Sequence, residues 1–227
     1  MDTRRLVFGL VSIALVALLL YVFHLEPRLR KGASSHQMAV DSFFLALIFV
    51  MGLVPQFGYI EILPGLSFTL IHIPVLIGAY LYGAKKGTLY GFFFGLTSNL
   101  GAVLQPAGFN AFFVYPWVSL PARMLFGFLA GLLFHLMRKD TKLYKSALAI
   151  GGTSFLLTCV HTILVFLDLY LFFPAETNQI LYATSSIGTA LSALTIAVVA
   201  IGMAGEATLA AIVVPAVGKA TRKFAKG

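Results

Sequence analysis

Seven apolar stretches run through this chain, at about residues 6–23, 39–54, 68–83, 87–104, 117–137, 146–172 and 185–218. A helix needs roughly 20 apolar residues to cross a hydrocarbon core about 30 Å thick, and most of these stretches meet or approach that length. Of 227 residues, 59% are hydrophobic and 11% charged, where a soluble domain carries about 25% charged residues. Such a composition excludes a soluble globular enzyme, a disordered chain and a secreted disulfide scaffold. The single cysteine, Cys159, rules out an internal disulfide and a cysteine-based metal site. The expected fold is an all-α membrane protein with several spans.

The net charge of +8 does not point to nucleic acid, because its placement follows the apolar stretches. Basic residues gather at Arg28, Arg30 and Lys31, at Lys85 and Lys86, at Arg138, Lys139, Lys142 and Lys145, and at Lys219, Arg222, Lys223 and Lys226. The alternate loops 55–67, 105–116 and 173–184 hold no Lys or Arg. Cytoplasmic loops retain Lys and Arg, so the six later stretches thread as six spans with both ends cytoplasmic. The expected division is an extra N-terminal membrane helix with its basic junction over 1–31, a six-helix substrate-binding membrane domain over 32–222, and a cytoplasmic tail over 223–227.

Three stretches are unusual. The first, 6–23, has basic residues on both sides. It reads as an uncleaved extra helix with its first residues outside, the alternatives being a helix in the interface or a cleaved signal peptide. The stretch 68–83 is short and contains Pro74, so a full span of ideal geometry is not expected. The last would reach about 51 Å as one straight helix. A break is expected at Gly202 and Gly205, because glycine is the weakest ordinary helix residue. Glu206 would then cap the new helix start.

Ionisable and polar side chains inside a membrane are expensive and are functional candidates by default. His72, Asn99, Arg123, His161 and Asp168 all fall in the outer half of their stretches, which suggests a pocket opening outward. Each also has a structural reading. Arg123 and Asp168 neutralise each other or contact ligand. His72 bonds a carbonyl freed by Pro74, and His161 is satisfied between helices. Aromatic residues Phe57, Tyr59, Phe109, Phe112, Phe113, Tyr115 and Trp117 crowd the outer loops, either as an interfacial belt or as a lid over a small molecule. With Tyr59, Asn110 and Trp117 added, these form the candidate substrate-binding set. Asp41, at the inner edge, is expected to stay outside the pocket.

Small residues recur at helix spacing in Gly83/Gly87, Gly91/Gly95, Gly127/Gly131 and Ser42/Ala46. Such faces let helices approach closely in lipid, within the chain or against another membrane subunit. No catalytic residue, cofactor or metal is expected. There is no G-x-x-x-x-G-K-[ST] for nucleotide and no H-E-x-x-H for zinc. Ser154 and His161 lie about 10 Å apart along one helix, too far for a nucleophile–base bond.

The order of several blocks resembles a known family. Leu66 to Ala79, with His72 and Pro74, is followed by Gly83-Ala-Lys-Lys-Gly87 and Gly91-Phe-Phe-Phe-Gly95-Leu-Thr97-Ser98. Ser119-Leu-Pro121-Ala-Arg123 leads into Gly127 and Gly131, and Gly205-Glu206 leads to Pro215. Together, over about 38–222, they are similar to the S component, or substrate-binding membrane subunit, of energy-coupling factor (ECF) transporters. The resemblance implies a six-helix protein that binds a water-soluble vitamin from outside and has no ATPase of its own. It implies association with a T component and two cytoplasmic ATPases, and delivery by toppling of the whole subunit. Its small-residue docking face falls on Ser42 and Ala46, with Ser where Ala is usual. The second-helix pattern looks most like the pantothenate, hydroxymethylpyrimidine and cobalamin branch, with pantothenate as the leading ligand. The competing class is an autonomous ion-coupled transporter, which would need titratable groups along a whole pathway.

Overall fold

A computed structural model describes residues 10, 14, 17, 35–63, 66–106, 108–182 and 189–221. The expected helix over 6–23 falls outside the described residues except at Leu10, Ala14 and Ala17, which are helical. The expected tail over 223–227 and most of the 1–31 unit also lie outside them.

In chain order the elements are α1 (Ser35–Leu53), a short α2 (Pro55–Gly58), β1 (Tyr59–Leu63), β2 (Leu66–Thr69), α3 (His72–Tyr82) and α4 (Ala84–Leu104). A 3₁₀ segment, Gly108–Val114, leads to α5 (Pro116–Met137), α6 (Thr141–Lys145), α7 (Ala147–Phe172), α8 (Pro174–Tyr182) and α9 (Thr189–Thr221). Among the described residues three helices are long and apolar enough to cross a membrane: Pro116–Met137, Ala147–Phe172 and Val199–Thr221. Two shorter apolar helices, Gln37–Leu53 and His72–Tyr82, accompany them.

The short helix α3 is the hub. Val75, Leu76, Ala79 and Tyr80 are fully buried, and α3 touches α1, α4, α5 and α9. Apolar on every side, it has no face to give to solvent, as expected of a helix enclosed by others. Gly83 ends it with φ +85°, a left-handed conformation that glycine adopts without a Cβ clash. The orphan carbonyls at this end are met by Arg138, whose Nη2 donates to Tyr80 O at 2.7 Å and Leu81 O at 2.6 Å. Tyr144 Oη adds a third bond to Tyr80 O at 3.1 Å. A cation at a helix C-terminus is favoured by the dipole.

Helices α4 and α5 form the closest seam. A Cβ placed on Gly127 would lie 2.0 Å from Gly87 O, and one on Gly91 would lie 2.2 Å from Arg123 O. One on Gly131 would meet Ala84 Cα at 2.2 Å. The glycine faces at 83–95 and 127–131 therefore serve packing inside the chain.

Two expectations are corrected. The loop 55–67 and the start of the 68–83 stretch form an antiparallel hairpin, pairing Tyr59 with Thr69, Ile60 with Phe68 and Glu61 with Ser67. Tyr-Ile-Glu-Ile-Leu and Leu-Ser-Phe-Thr flank Pro64-Gly65 in sequence, a hairpin pattern hidden by measuring apolar length alone. The second correction concerns Gly202 and Gly205, where α9 runs unbroken. Their missing side chains instead make room for Phe68, whose ring would lie 3.1 Å from a Cβ on Gly205. Packing against the hairpin offsets the helix-propensity cost of about 1 kcal/mol per glycine. With no helix start there, Glu206 caps nothing and accepts a short hydrogen bond from the Thr69 amide.

Candidate functional site

At the end of the bundle away from the basic junctions, four elements bring polar side chains together. His72 opens α3, Arg123 lies about two turns beyond the N-terminal end of α5, and His161 and Asp168 occupy the second half of α7. The hairpin and the 3₁₀ segment supply Tyr59 and Phe113.

The Arg123 guanidinium lies over two aromatic rings, 4.3 Å from the Phe113 centroid and 5.1 Å from that of Phe94. Cation–π contact of this kind is strengthened by desolvation, and Arg123 is only 4% exposed. Its Nη1 donates to the backbone oxygen of Ser119 one turn back, at 2.9 Å. Its Nε has no hydrogen-bond partner.

His161 is boxed in by rings, with centroids at 4.8 Å for Phe126, 5.4 Å for Phe94 and 6.2 Å for His72. The two histidines stack with planes 21° apart. No hydrogen bond of normal geometry reaches a nitrogen of either ring, although both residues are buried and backbone groups of Thr69 and Glu206 lie near His72. His72 therefore does not bond a carbonyl freed by Pro74, and His161 is not satisfied between helices. Ring contacts occupy the faces of both imidazoles.

Of the two readings open for Asp168, pairing with Arg123 is not met. No ion pair within 4.0 Å joins it to Arg123, its Oδ2 is buried without a partner, and only longer-range attraction couples the two. Buried polar atoms are nearly always hydrogen-bonded. Here six unpartnered atoms belong to His72, His161, Arg123 and Asp168. The cluster presents hydrogen-bonding capacity of both signs inside an aromatic enclosure, an arrangement that suits a small polar ligand.

Other candidates hold the walls. Asn99 Nδ2 donates to Phe113 O at 2.7 Å and Val114 O at 2.8 Å, pinning the 3₁₀ segment. Asn110 Nδ2 donates to Gln105 O at 3.1 Å on the exposed side of that loop. Trp117 stacks on Tyr115, 5.1 Å away, beside a separate cluster of Val118, Leu169, Phe172 and Phe173. Tyr59 Oη lies 3.4 Å from Ser98 Oγ, and burial raises the phenol above its usual pKa. Asp41 stays outside the site, bonded by Lys86 Nζ and by Tyr90 Oη at 2.7 Å. Ser154 donates to Ile150 O at 2.8 Å, so it is turned away from His161.

Phe94, Phe126, Ser98 and Glu206 complete the surroundings, and sequence reasoning did not assign them to the site. Phe94 is the third of three consecutive phenylalanines, and only the rotational setting of α4 separates it from Phe92 and Phe93. Ser98 precedes Asn99, and about 100° of helix rotation sends the first toward Tyr59 and the second toward the loop. Among the described residues no group of three His, Cys, Asp or Glu side chains is placed to hold a metal.

A helical protein with membrane-length apolar helices and a buried, polar, aromatic-walled cluster at one end belongs to the class of membrane binding and transport proteins. Residues 36–218 match the family model "ECF transporter, substrate-specific component". The chain belongs to that family, and the resemblance read from its motif blocks is borne out. It is similar to the pantothenic acid transporter PanT of Lactococcus lactis subsp. cremoris, 29% identical over 209 residues, covering 84% of this chain and 97% of that protein. It is also similar to the pantothenate transporter PanT of Leuconostoc mesenteroides, 28% identical over 130 residues. That second match covers 56% of this chain and 64% of the relative's length, slightly under two thirds.

Proposed function

We propose that this chain is the substrate-binding subunit of an ECF-type importer, that it captures pantothenate from outside the cell, and that the Arg123–His72–His161 cluster is the pocket. The observation carrying this reading is the buried Arg123 guanidinium, ringed by Phe94 and Phe113 with Nε unpartnered. Pantothenate has a carboxylate at one end and hydroxyls and an amide along its length. A carboxylate is matched by guanidinium donors through charge-assisted hydrogen bonds. The imidazole edges of His72 and His161 suit the hydroxyl and amide groups. The names of the two relatives favour the same ligand.

In this reading the hairpin and the Gly108–Val114 segment close the pocket. Tyr59 is held to α4 through Ser98, and β2 is held to α9 through Glu206. The six longer helices α1, α3, α4, α5, α7 and α9 form the membrane domain over 32–222, with both of its ends cytoplasmic. The exposed Ser42 and Ala46 form the face that docks on a T component carrying two ATPases, and toppling of the subunit delivers the vitamin.

The test is calorimetric titration of the purified chain with pantothenate, cobalamin and hydroxymethylpyrimidine. Tight binding of pantothenate by the solitary chain is expected. Tight binding of another vitamin instead would replace the ligand and keep the role. No binding across the panel would favour an autonomous ion-coupled transporter.

A further inference from the structure

At the opposite end of the molecule, an apolar groove of about 400 Å³ opens where α5, α6 and α7 converge, lined by Leu133, Leu136, Met137, Leu143, Thr153 and Leu156. Four of its leucines are exposed, Leu156 by 65%. Its one hydroxyl, on Thr153, donates to Met137 Sδ at 3.2 Å, so the groove offers no free polar group. An apolar groove in a membrane protein is lipid-accessible, but the surrounding charge makes this one selective.

The groove reaches α6, the short helix Thr-Lys-Leu-Tyr-Lys. Leu143 joins the lining while Lys142 and Lys145 on either side are exposed, as is Lys139 just before the helix. The nearest acid, Asp140, spends its carboxylate on the amides of Lys142 and Leu143. Arg138 is turned inward onto Tyr80 and Leu81. Asp41, the next acid on this side, is taken by Lys86. Lys139, Lys142 and Lys145 thus stand exposed within four residues of the lining residue Leu143, and none is paired with a carboxylate among the described residues.

We propose that this groove holds an acyl chain of an anionic phospholipid, whose headgroup phosphate is bound by Lys142 and Lys145. The lipid comes from the leaflet on the basic side of the chain, which the orientation proposed above makes the cytoplasmic one. Lysines at a membrane surface attract anionic headgroups with about a fivefold gain in affinity each. With the lipid bound, their flexible apolar stems would extend along its edge while the ammonium groups reach the phosphate. A zwitterionic lipid fits the same groove but gains nothing from the lysines.

The experiment is native mass spectrometry of the full chain in detergent, titrated separately with phosphatidylglycerol and phosphatidylcholine of the same acyl composition. One phosphatidylglycerol is expected to remain bound where phosphatidylcholine is lost. K142Q/K145Q should weaken its retention by more than tenfold, and Leu156→Trp, which narrows the groove, should weaken it too. Lys219→Gln, at the end of α9, should leave it unchanged. Equal retention of the two lipids overturns the proposal. So does a K142Q/K145Q chain that keeps its phosphatidylglycerol, or a loss as large with Lys219→Gln. The readout does not involve the vitamin, so its failure leaves the transport reading standing, and the reverse holds as well.

Discussion

Arg123 combines features that seldom occur together: a guanidinium buried among helices, two aromatic rings against it, a single bond to its own helix backbone and an unpartnered Nε. A purely structural arginine at this depth would be expected to use its fork fully, because unsatisfied buried donors are costly. Leaving part of it open makes sense where a ligand anion completes the set. Arg123→Ala should weaken pantothenate binding by about 30-fold or more, the cost of removing one partner of a buried charge pair. Arg123→Lys should recover only part of the loss, since an ammonium lacks the planar fork. Calorimetry on both variants checks this, and unchanged affinity in Arg123→Ala would remove Arg123 from the pocket. How legible such residues were depended on what each one needed. Arg123, His72, His161 and Asp168 are costly in lipid and stand out in an apolar run. Phe94 and Phe126 are ordinary there, and only their placement against His161 and Arg123 makes them part of the site.

Between elements, the α4–α5 seam and the hairpin's seat on α9 both depend on glycine, but in different ways. In the seam, backbone meets backbone: a Cβ on Gly127 would lie 2.0 Å from Gly87 O, and no side chain is available to move aside. Gly127→Ala must push the helices apart, with an overpacking cost at the upper end of about 1–3 kcal/mol. A fall in thermal denaturation temperature of roughly 5 °C or more is expected. Gly152→Ala is the control, because a Cβ there meets nothing within 4 Å, and alanine is the better helix former. It should denature no earlier than the parent chain. On α9, Gly202 and Gly205 were legible as special positions but not as to kind. Glycine in a helix signals a break or a close neighbour alike, and the neighbour, Phe68, lies far away in the sequence.

For the whole molecule, α1 divides its faces between the core and the exterior. Phe44 and Ile48 are buried in the core, and Asp41 is tied to Lys86 and Tyr90 on α4. Ser42, Phe43, Ala46 and Leu47 are exposed. A helix anchored so firmly on one side can present a rigid small-residue face on the other. Ala46→Leu should therefore leave pantothenate affinity within about twofold while abolishing uptake into proteoliposomes that contain the ATP-driven partner module. Loss of binding in the same variant would show that the face belongs to the fold rather than to docking. The proposed pocket and the proposed docking face involve different residues, so binding and transport should separate cleanly by mutation.

Hydrophobic length and charge placement are local properties, summed over a window of chain, and they were sufficient for the membrane class and for the short list of costly polar residues. The motif blocks were sufficient for the family. Tertiary structure alone decided which of those residues meet. His72 stacks on His161 across 89 positions of sequence, and Asp168 makes no ion pair with Arg123, one of the two roles the sequence left open to it. The two glycines of α9 receive a ring instead of breaking a helix. Partner choice depends on the rotation and crossing of packed helices, where one residue turns a side chain by about 100°, and no sum over a local window contains that angle.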